Sequence, residues 1–325
     1  MLRTRFTDLV GCRMPLQLAA MPGVGTPELA AAVAGAGALG MIGLAGIPPP
    51  LATAILDGAT AGANGGVLGV NFLMPFFDPS VLDAVAPRAR VVEFFYGTPD
   101  RELVRAARAR GALVSWQIGS RDEAVAAVDA GCDLVVAQGS EAGGHVRGRL
   151  GLLRVLSEVL EAVEVPVIAA GGIGSAREVA GALAAGASAV RVGTRFAAAA
   201  ESGAHPDYVR ALVAARAEDS VLTDVFKLGW DAPHRVLRSA IEAVEALDDG
   251  VIGEADYGGV KAPIERFSVE PPLRATTGRV DAMALYAGQS VGAVRSVQPA
   301  AEIVAELCDG AEALLGRAAQ QGAAG

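Results

Sequence analysis

The sequence predicts a (β/α)8 TIM barrel with a C-terminal helical cap, and three observations support this fold class. Ala-rich helical stretches stop at a glycine that a short apolar run follows at once, as in AVDAGCDLVVAQG and ALAAGASAVRVGT. Glycine just beyond the last turn is a frequent helix end. The apolar runs are continuous rather than alternating, which is typical of parallel strands buried on both faces. Eight such runs alternate with helical stretches, and a doubly wound open sheet is the alternative.

The elements divide the chain into a barrel and a C-terminal part. The predicted strands are 16–20, 39–45, 67–72, 91–97, 113–119, 134–139, 165–171 and 189–194. We expect the barrel to close near Thr194, giving a barrel core over 1–200, a cap or lid over 201–297, and a C-terminal helix with its tail over 298–325. Beyond the barrel the sequence predicts helices at 208–217, 232–247 and 299–315, a loop-like region at 250–280 and a disordered tail at 320–325.

Composition excludes several classes of function. The 325 residues are 52% hydrophobic, which is enough for a large core, and the formal net charge is -9. An acidic chain lacks the basic surface that nucleic acids and anionic membranes require. Cys12, Cys132 and Cys308 lie far apart in the sequence, so we expect neither a disulfide framework nor a zinc site, and a reducing cytoplasm fits.

Residues 29–56 carry no charge and are long enough to cross a bilayer. Repeated glycines and the prolines at 48–50 interrupt this stretch, so a helix followed by a buried strand is the better interpretation. Within it, GAGALG (35–40) matches GxGxxG but closes a helix and precedes a strand, the reverse of a dinucleotide-binding loop. The first 15 residues have charges where a signal peptide needs an apolar core.

Polar residues stand at the ends of several predicted strands, where a (β/α)8 barrel carries its site. They are Asn71, Gln117, Gln138, Arg191 and Thr194. Buried amides and guanidinium groups need partners, so these residues either satisfy one another or form the hydrogen-bonding shell of a ligand.

Two glycine-rich turns, GGIGSAREV (171–179) and GTRF (193–196), open helices after the last two strands. Adjacent turns of this kind favour a phosphate, and a plain βα turn capped by Ser175 is the alternative.

The loop AQGSEAGGH (137–145) holds one of only three histidines. Gly143 and Gly144 would let the backbone approach a flat ligand, and His145 would then hold or transfer a proton at its edge. His205 in a loop and His234 at a predicted helix start are interpreted as structural. No second metal ligand has useful spacing, so no metal is expected.

The sequence lacks the residues that several other catalytic mechanisms require. The chain has no P-loop, and its two lysines, Lys227 and Lys261, lie outside the predicted strands. Glu93 is the only carboxylate in strand four, so no carboxylate pair is predicted.

The chain resembles the nitronate monooxygenase family, formerly called 2-nitropropane dioxygenases, over nearly its whole length. The motifs that carry the resemblance are AAMPGVGTPELAAAVAGAGALG (19–40), GVNFLMP (69–75), AQGSEAGGH (137–145), AAGGIGSAREV (169–179), VGTRF (192–196), TDVF (223–226) and MALYAGQSVG (283–292). The resemblance implies an FMN-binding (β/α)8 barrel with His145 as the catalytic residue. The flavin-binding residues it implies are Ala20, Met21, Pro22, Asn71, Gln117, Gln138, Gly143, Gly144, Gly171, Gly172, Gly193 and Thr194. Arg191 is added to them because a cation suits a phosphate. The substrate-facing residues it implies are Tyr286, Gln289 and Ser290.

Two positions depart from the family pattern. Many relatives carry Gln where this chain has Arg191, and many return to Gly two residues after the histidine, where this chain has Arg147. Arg147 either attracts an anionic substrate or faces solvent.

Three functions remain open at this point. The first is oxidation of alkyl nitronates with O₂. The second is an NAD(P)H-dependent flavin reductase acting on an enoyl thioester, carried by acyl-carrier protein or CoA, or on a quinone, as in the similar flavin-type enoyl-acyl-carrier-protein reductases. The third is a phosphate-binding isomerase or lyase without flavin. A small-molecule substrate is common to all three, and a homodimer is left open.

Overall fold

The computed structural model describes residues 2–248, 250–256 and 259–323, and a closed barrel of eight parallel strands forms its centre. The barrel strands are β1 (Leu16–Leu18), β2 (Leu39–Gly43), β3 (Val67–Leu73), β4 (Val91–Phe95), β5 (Leu113–Ile118), β6 (Leu134–Gln138), β8 (Val167–Ala170) and β9 (Ala189–Val192). The last strand returns to the first, with Arg191 opposite Gln17. The predicted barrel is therefore confirmed, and the open sheet is excluded.

Helices surround the barrel and continue into the C-terminal part. They are α1 (Arg5–Val10), α2 (Pro27–Gly35), α3 (Pro49–Gly62), α4 (Pro79–Val85), α5 (Arg101–Arg108), α6 (Arg121–Ala130), α7 (Leu152–Leu160), α8 (Ala176–Ala184), α9 (Thr194–Ala197), α10 (Pro206–Ala214), α11 (Arg238–Glu245) and α12 (Ala300–Ala323). Local signals set their ends. Ser175 begins α8 with a capping box, and Gly131 ends α6 with φ of 105°.

Two apolar clusters form the interior. The larger one lies between the barrel strands and their helices, and α12 adds Ile303 and Leu307 to it. The smaller one holds α10 and α11 against residues 282–294. The side chain of Arg195, just after β9, joins these parts because it donates to Gln298 at 2.9 Å and to Glu306 in α12 at 2.8 Å. None of the described helices is long and apolar enough to cross a membrane.

The C-terminal part differs from its prediction in three places. The region 250–280 is not a loop, because β12 (Val251–Asp256), β13 (Lys261–Glu265) and β14 (Thr277–Gly278) form an antiparallel sheet. The predicted helix 232–247 begins only at α11, because β11 (His234–Leu237) precedes it and pairs with β10 (Ser220–Thr223). Helix α12 extends through 323, so residues 320–323 of the predicted tail are helical, and 324–325 lie outside the described residues.

Candidate active site

A short strand brings His145 to the mouth of the barrel. The two-residue strand β7 (Gly144–His145) pairs antiparallel with β11, which places His145 directly opposite His234. The prediction that His234 begins a helix is therefore wrong. It is a fully buried strand residue that accepts a hydrogen bond from the amide of Phe226 at 3.2 Å. Gly144 has a φ of 72°, a left-handed conformation that favours glycine, and open space lies where its Cβ would be.

Aromatic rings surround the imidazole of His145. Trp230 stacks on it with a centroid distance of 3.8 Å and an interplanar angle of 23°. The rings of His234 and Tyr286 lie 5.6 Å away, and the ring of Tyr96 lies 6.4 Å away. Nε2 of His145 is buried and has no hydrogen-bond partner within the described residues. An unpartnered polar atom at the mouth of a barrel marks a place where a ligand can bind.

Burial, followed by the neighbouring His234, lowers the pKa of His145 to about 3. Burial also lowers the pKa of His234. The imidazole of His145 is therefore uncharged at neutral pH, and the apolar rings around it disfavour the imidazolium form.

The side chain of Gln138 braces the loop that carries His145. Its Nε2 donates to the carbonyl of His145 at 2.9 Å, and its Oε1 accepts from the amide of Arg147 at 3.0 Å. Arg147 itself is half-buried. Its guanidinium pairs with Glu123 at 2.8 Å and lies 5.3 Å from the centroid of Tyr96.

Glycines let the loops at the mouth approach each other closely. A Cβ on Gly143 would collide with the backbone of Gly288, and a Cβ on Gly171 would lie 3.0 Å from the carbonyl of Gly139. Gly171 and Gly172 both have positive φ, at 114° and 71°. Both are partly exposed, so this backbone borders the mouth.

The segment 286–290 is fastened to these loops. The hydroxyl of Thr194 accepts from the amide of Gly288 at 3.0 Å, and the amide of Gln289 donates to the carbonyl of Glu141 at 3.0 Å. The hydroxyl of Tyr286 donates to the carbonyl of Val269 at 2.6 Å. Ser290 is buried against Gly174, whereas the side chain of Gln289 is exposed.

The remaining predicted residues divide between the rim and the interior of the barrel. Ala20, Met21 and Pro22 follow β1 and are half-buried at the rim, and Gly193 lies close to Met21. Asn71, Gln117 and Arg191 point into the barrel, where their polar groups meet each other or Glu93. The partners of Arg191 are Glu93 at 2.8 Å and Gln117 at 2.5 Å.

Sequence reasoning missed four residues of this site. Glu93 was set aside because it had no second carboxylate, although its partner is a cation on another strand. Trp230, Tyr96 and His234 carry no such signal of their own as a group, because the pairing of β7 with β11 brings His234 to His145 and Trp230 stacks on the same ring from outside both strands. One signal was available for Tyr96, because it directly follows a buried strand at the end that carries the site.

Comparison with known proteins decides the family. A model of the family described as "Nitronate monooxygenase" matches residues 65–310. The chain belongs to the nitronate monooxygenase family. A nitronate monooxygenase of Pseudomonas aeruginosa is 34% identical over 94% of this chain and 98% of its own length. A Rhodococcus jostii relative, (3aS,4S,5R,7aS)-5-hydroxy-7a-methyl-1-oxo-octahydro-1H-indene-4-carboxyl-CoA dehydrogenase, is 36% identical over 73% of this chain and 66% of its own.

Solved structures agree with this membership. FabK from Thermotoga maritima superimposes with a TM-score of 0.80 and 28% identity, covering 99% of this chain and 100% of its own. A nitroalkane oxidase from Streptomyces ansochromogenes superimposes with a TM-score of 0.75 and 29% identity, covering 96% of this chain and 100% of its own. This member of the nitronate monooxygenase family is a flavin-dependent oxidoreductase.

The residues at the mouth fit a flavin. The open space beside Gly144 leaves room for a flat ring. The buried Nε2 of His145 has no partner in the part of the chain that the structure describes, and a ligand can supply one. Gln117 and Arg191 are among the few interior polar residues with any exposed surface, and both carry N–H donors. Donors of this kind suit a ring system whose edge carries carbonyl oxygens and ring nitrogens.

Proposed function

We propose that this protein is an FMN-dependent oxidoreductase that oxidises alkyl nitronates with O₂. The observation that carries the proposal is the uncharged imidazole of His145 at the mouth of the barrel, whose buried Nε2 has no hydrogen-bond partner among the described residues. When bound, the flavin supplies the redox chemistry by taking electrons from the substrate and passing them to O₂. The chain's own residues bind the substrate, orient it and exclude water.

The state of His145 favours a nitronate over a neutral nitroalkane. A base whose pKa is lowered to about 3 removes a proton from a carbon acid poorly at neutral pH. A nitronate has already lost that proton and carries its negative charge on the nitro oxygens. A neutral imidazole with its hydrogen on Nε2 can donate a hydrogen bond to such an oxygen without further proton transfer.

The aromatic residues around His145 support the same function. Trp230 holds the imidazole plane, and Tyr286 is fixed by its hydroxyl to the backbone of Val269. Burial raises the pKa of Tyr286 above its usual range, so its hydroxyl stays neutral. The resulting wall is apolar towards the alkyl part of a substrate and excludes water from its anionic end.

FMN is proposed as the flavin because it ends in one phosphate. Barrels of this kind often hold phosphate with the loops after their last two strands. Here Gly171, Gly172 and Gly193 lie in those loops and are partly exposed. Identification of the flavin released on denaturation tests this choice, and release of FAD would contradict it.

A second candidate is an NAD(P)H-dependent reductase of an enoyl thioester or a quinone. The similarity to a CoA-thioester dehydrogenase of Rhodococcus jostii favours a thioester substrate. Reduction of an enoyl thioester needs a proton donor beside the substrate. An imidazole with a pKa of about 3 is neutral at neutral pH, and its remaining N–H is a very weak acid, so His145 suits this reaction less well.

An absorption experiment under argon separates the two candidates. The flavin band of the purified protein is followed during additions of NADH, NADPH and then ethylnitronate. We expect ethylnitronate to bleach the band and both nucleotides to leave it unchanged. Neutral nitroethane is the matched control, and it should bleach the band far more slowly than its anion. Bleaching by NADH or NADPH would overturn the proposal in favour of the reductase.

A further inference from the structure

Five polar side chains from five strands meet inside the barrel. Glu93 on β4 accepts from Gln17 at 3.0 Å and from Asn71 at 2.8 Å, and its Oε1 lies 2.8 Å from Nη1 of Arg191. Nη1 of Arg191 also donates to Oε1 of Gln117 at 2.5 Å. One carboxylate thus connects strands from opposite sides of the barrel, and its charge is balanced by one guanidinium.

Exposure shows which end of this network faces the mouth. Gln17 and Glu93 are 0% exposed, Asn71 is 2% exposed, Gln117 is 6% exposed and Arg191 is 7% exposed. The carboxylate is therefore the deep end of the network, and the guanidinium with the Gln117 amide is the end nearest the mouth. Both described contacts of the guanidinium use Nη1, so Nε and Nη2 remain as donors for a ligand.

We propose that Glu93 is a positioning residue that holds Arg191, Asn71 and, through Arg191, Gln117 as a preformed donor set for the flavin. The Glu93–Arg191 pair thereby sets the reduction potential of the bound flavin. The inference rests on the placement of the flavin at the mouth and does not depend on which substrate is oxidised.

The reason for a buried anion here is conformational. An arginine side chain has many rotamers, and a free guanidinium would lose that entropy when it binds the flavin. The fixed carboxylate of Glu93 restricts the rotamers of Arg191 before the flavin binds, so the hydrogen-bond donors are already oriented for it. The carboxylate also offsets the positive charge that the flavin experiences. A reduced flavin carries more negative charge than an oxidised one, so its stability depends on that balance.

The test compares Glu93→Gln, Arg191→Gln and the double variant with the wild-type holoenzyme. Glu93→Gln leaves the cation unbalanced, so we expect the midpoint potential to rise. Arg191→Gln removes the cation nearest the mouth, so the potential should fall. We expect each single variant to change the ratio of the binding constants of reduced and oxidised flavin by about tenfold. For a two-electron couple, this change corresponds to a shift of about 30 mV in the midpoint potential. The affinity for added FMN should fall by roughly tenfold or more in all three variants.

Glu158→Gln is the matched control because Glu158 pairs with Arg154 at 2.6 Å within α7, outside the barrel interior. It should leave the potential and the FMN affinity unchanged. If the single variants do not fold, the double variant decides the question, because removing both charges of a buried pair is often tolerated. Its potential should lie below that of the wild type and its FMN affinity should be lower.

Unchanged potentials and FMN affinities, or shifts of the same sign in both single variants, would overturn the proposal. A purely structural role for Glu93 would lower thermal stability without producing opposite shifts in potential. Because no nitronate is used, the outcome is independent of the proposed substrate.

Discussion

Inside the barrel, Glu93 contacts partners from three other strands, whereas at the mouth the buried Nε2 of His145 has no polar partner among the described residues. The interior is ordered by charge and hydrogen bonds, and the surroundings of His145 are ordered by ring contacts and backbone pairing. The two regions lie close together in one fold. They differ in whether their central polar atoms already have hydrogen-bond partners.

The difference indicates that the two regions have separate functions. The interior network is fixed before a ligand arrives, because its carboxylate and its guanidinium are already paired with each other. A polar atom among apolar rings is held in place without being satisfied, so it is available to a substrate. Two other buried atoms, Oε1 of Gln17 and Oγ of Ser115, also lack partners, but their residues are 0% exposed and lie beyond the reach of a substrate.

The largest expected effect comes from breaking the interior pair. Arg191→Met leaves the carboxylate of Glu93 buried without its cation, and we expect the free energy of unfolding to fall by roughly 3–5 kcal/mol. Urea denaturation measures this. Arg154→Met is the control, because Arg154 is 72% exposed where it pairs with Glu158. An exposed pair of this spacing contributes only about 0.3–0.5 kcal/mol. Equal losses in the two variants would show that the interior pair has no special role in stability.

The sequence was sufficient for the barrel, because continuous apolar strands and glycine-terminated helices are local signals. It was insufficient for the interior network, because Arg191, the partner of Glu93, lies on the last barrel strand, 98 positions away. Only closure of the barrel brings the two residues together. The sheet of β12, β13 and β14 was missed for a local reason. Its strands are half-exposed and contain Gly253 and Pro263, so their composition is that of a loop.

The second prediction concerns His145 itself. His145→Ala removes the hydrogen-bonding atom at the mouth, and we expect turnover of a nitronate to fall by about 10²-fold, which corresponds to ~2.7 kcal/mol. Flavin binding should be retained, because the interior network is untouched. Steady-state kinetics and the visible spectrum measure the two quantities. Unchanged turnover would remove His145 from the mechanism, and loss of flavin would show that the mouth and the interior are not separable.

The third prediction uses the pH dependence of stability. His145 has a pKa of about 3 when folded, against its usual 6.5. Below pH 6.5 the unfolded chain therefore binds a proton that the folded chain does not. The contribution of His145 to the free energy of unfolding is complete above pH 6.5 and is lost progressively as pH falls towards 3. At pH 5 we expect a loss of roughly 2 kcal/mol from this residue alone, and the lowered pKa of His234 adds a loss of the same sign.

Unfolding free energies at pH 7.5 and pH 5 measure this loss, and His145→Ala should reduce the difference between them. His205→Asn is the control, because His205 caps α10 at the surface and Asn also caps helices. It should leave most of the pH dependence in place. If His145→Ala leaves the pH dependence intact, the imidazole is not held neutral by its surroundings.

The smallest effect is expected at Trp230, where only ring contacts are at stake. Trp230→Ala removes the ring stacked 3.8 Å from His145, and an aromatic pair contributes about 0.5–1.5 kcal/mol beyond its buried area. We expect kcat/KM for a nitronate to fall by roughly tenfold, because the imidazole loses the surface that fixes its plane. Trp230→Phe keeps a ring in that place and should stay near the wild-type value. Equal activity in both variants would show that backbone pairing with β11 alone orders His145, and the ring contacts would then serve to exclude water.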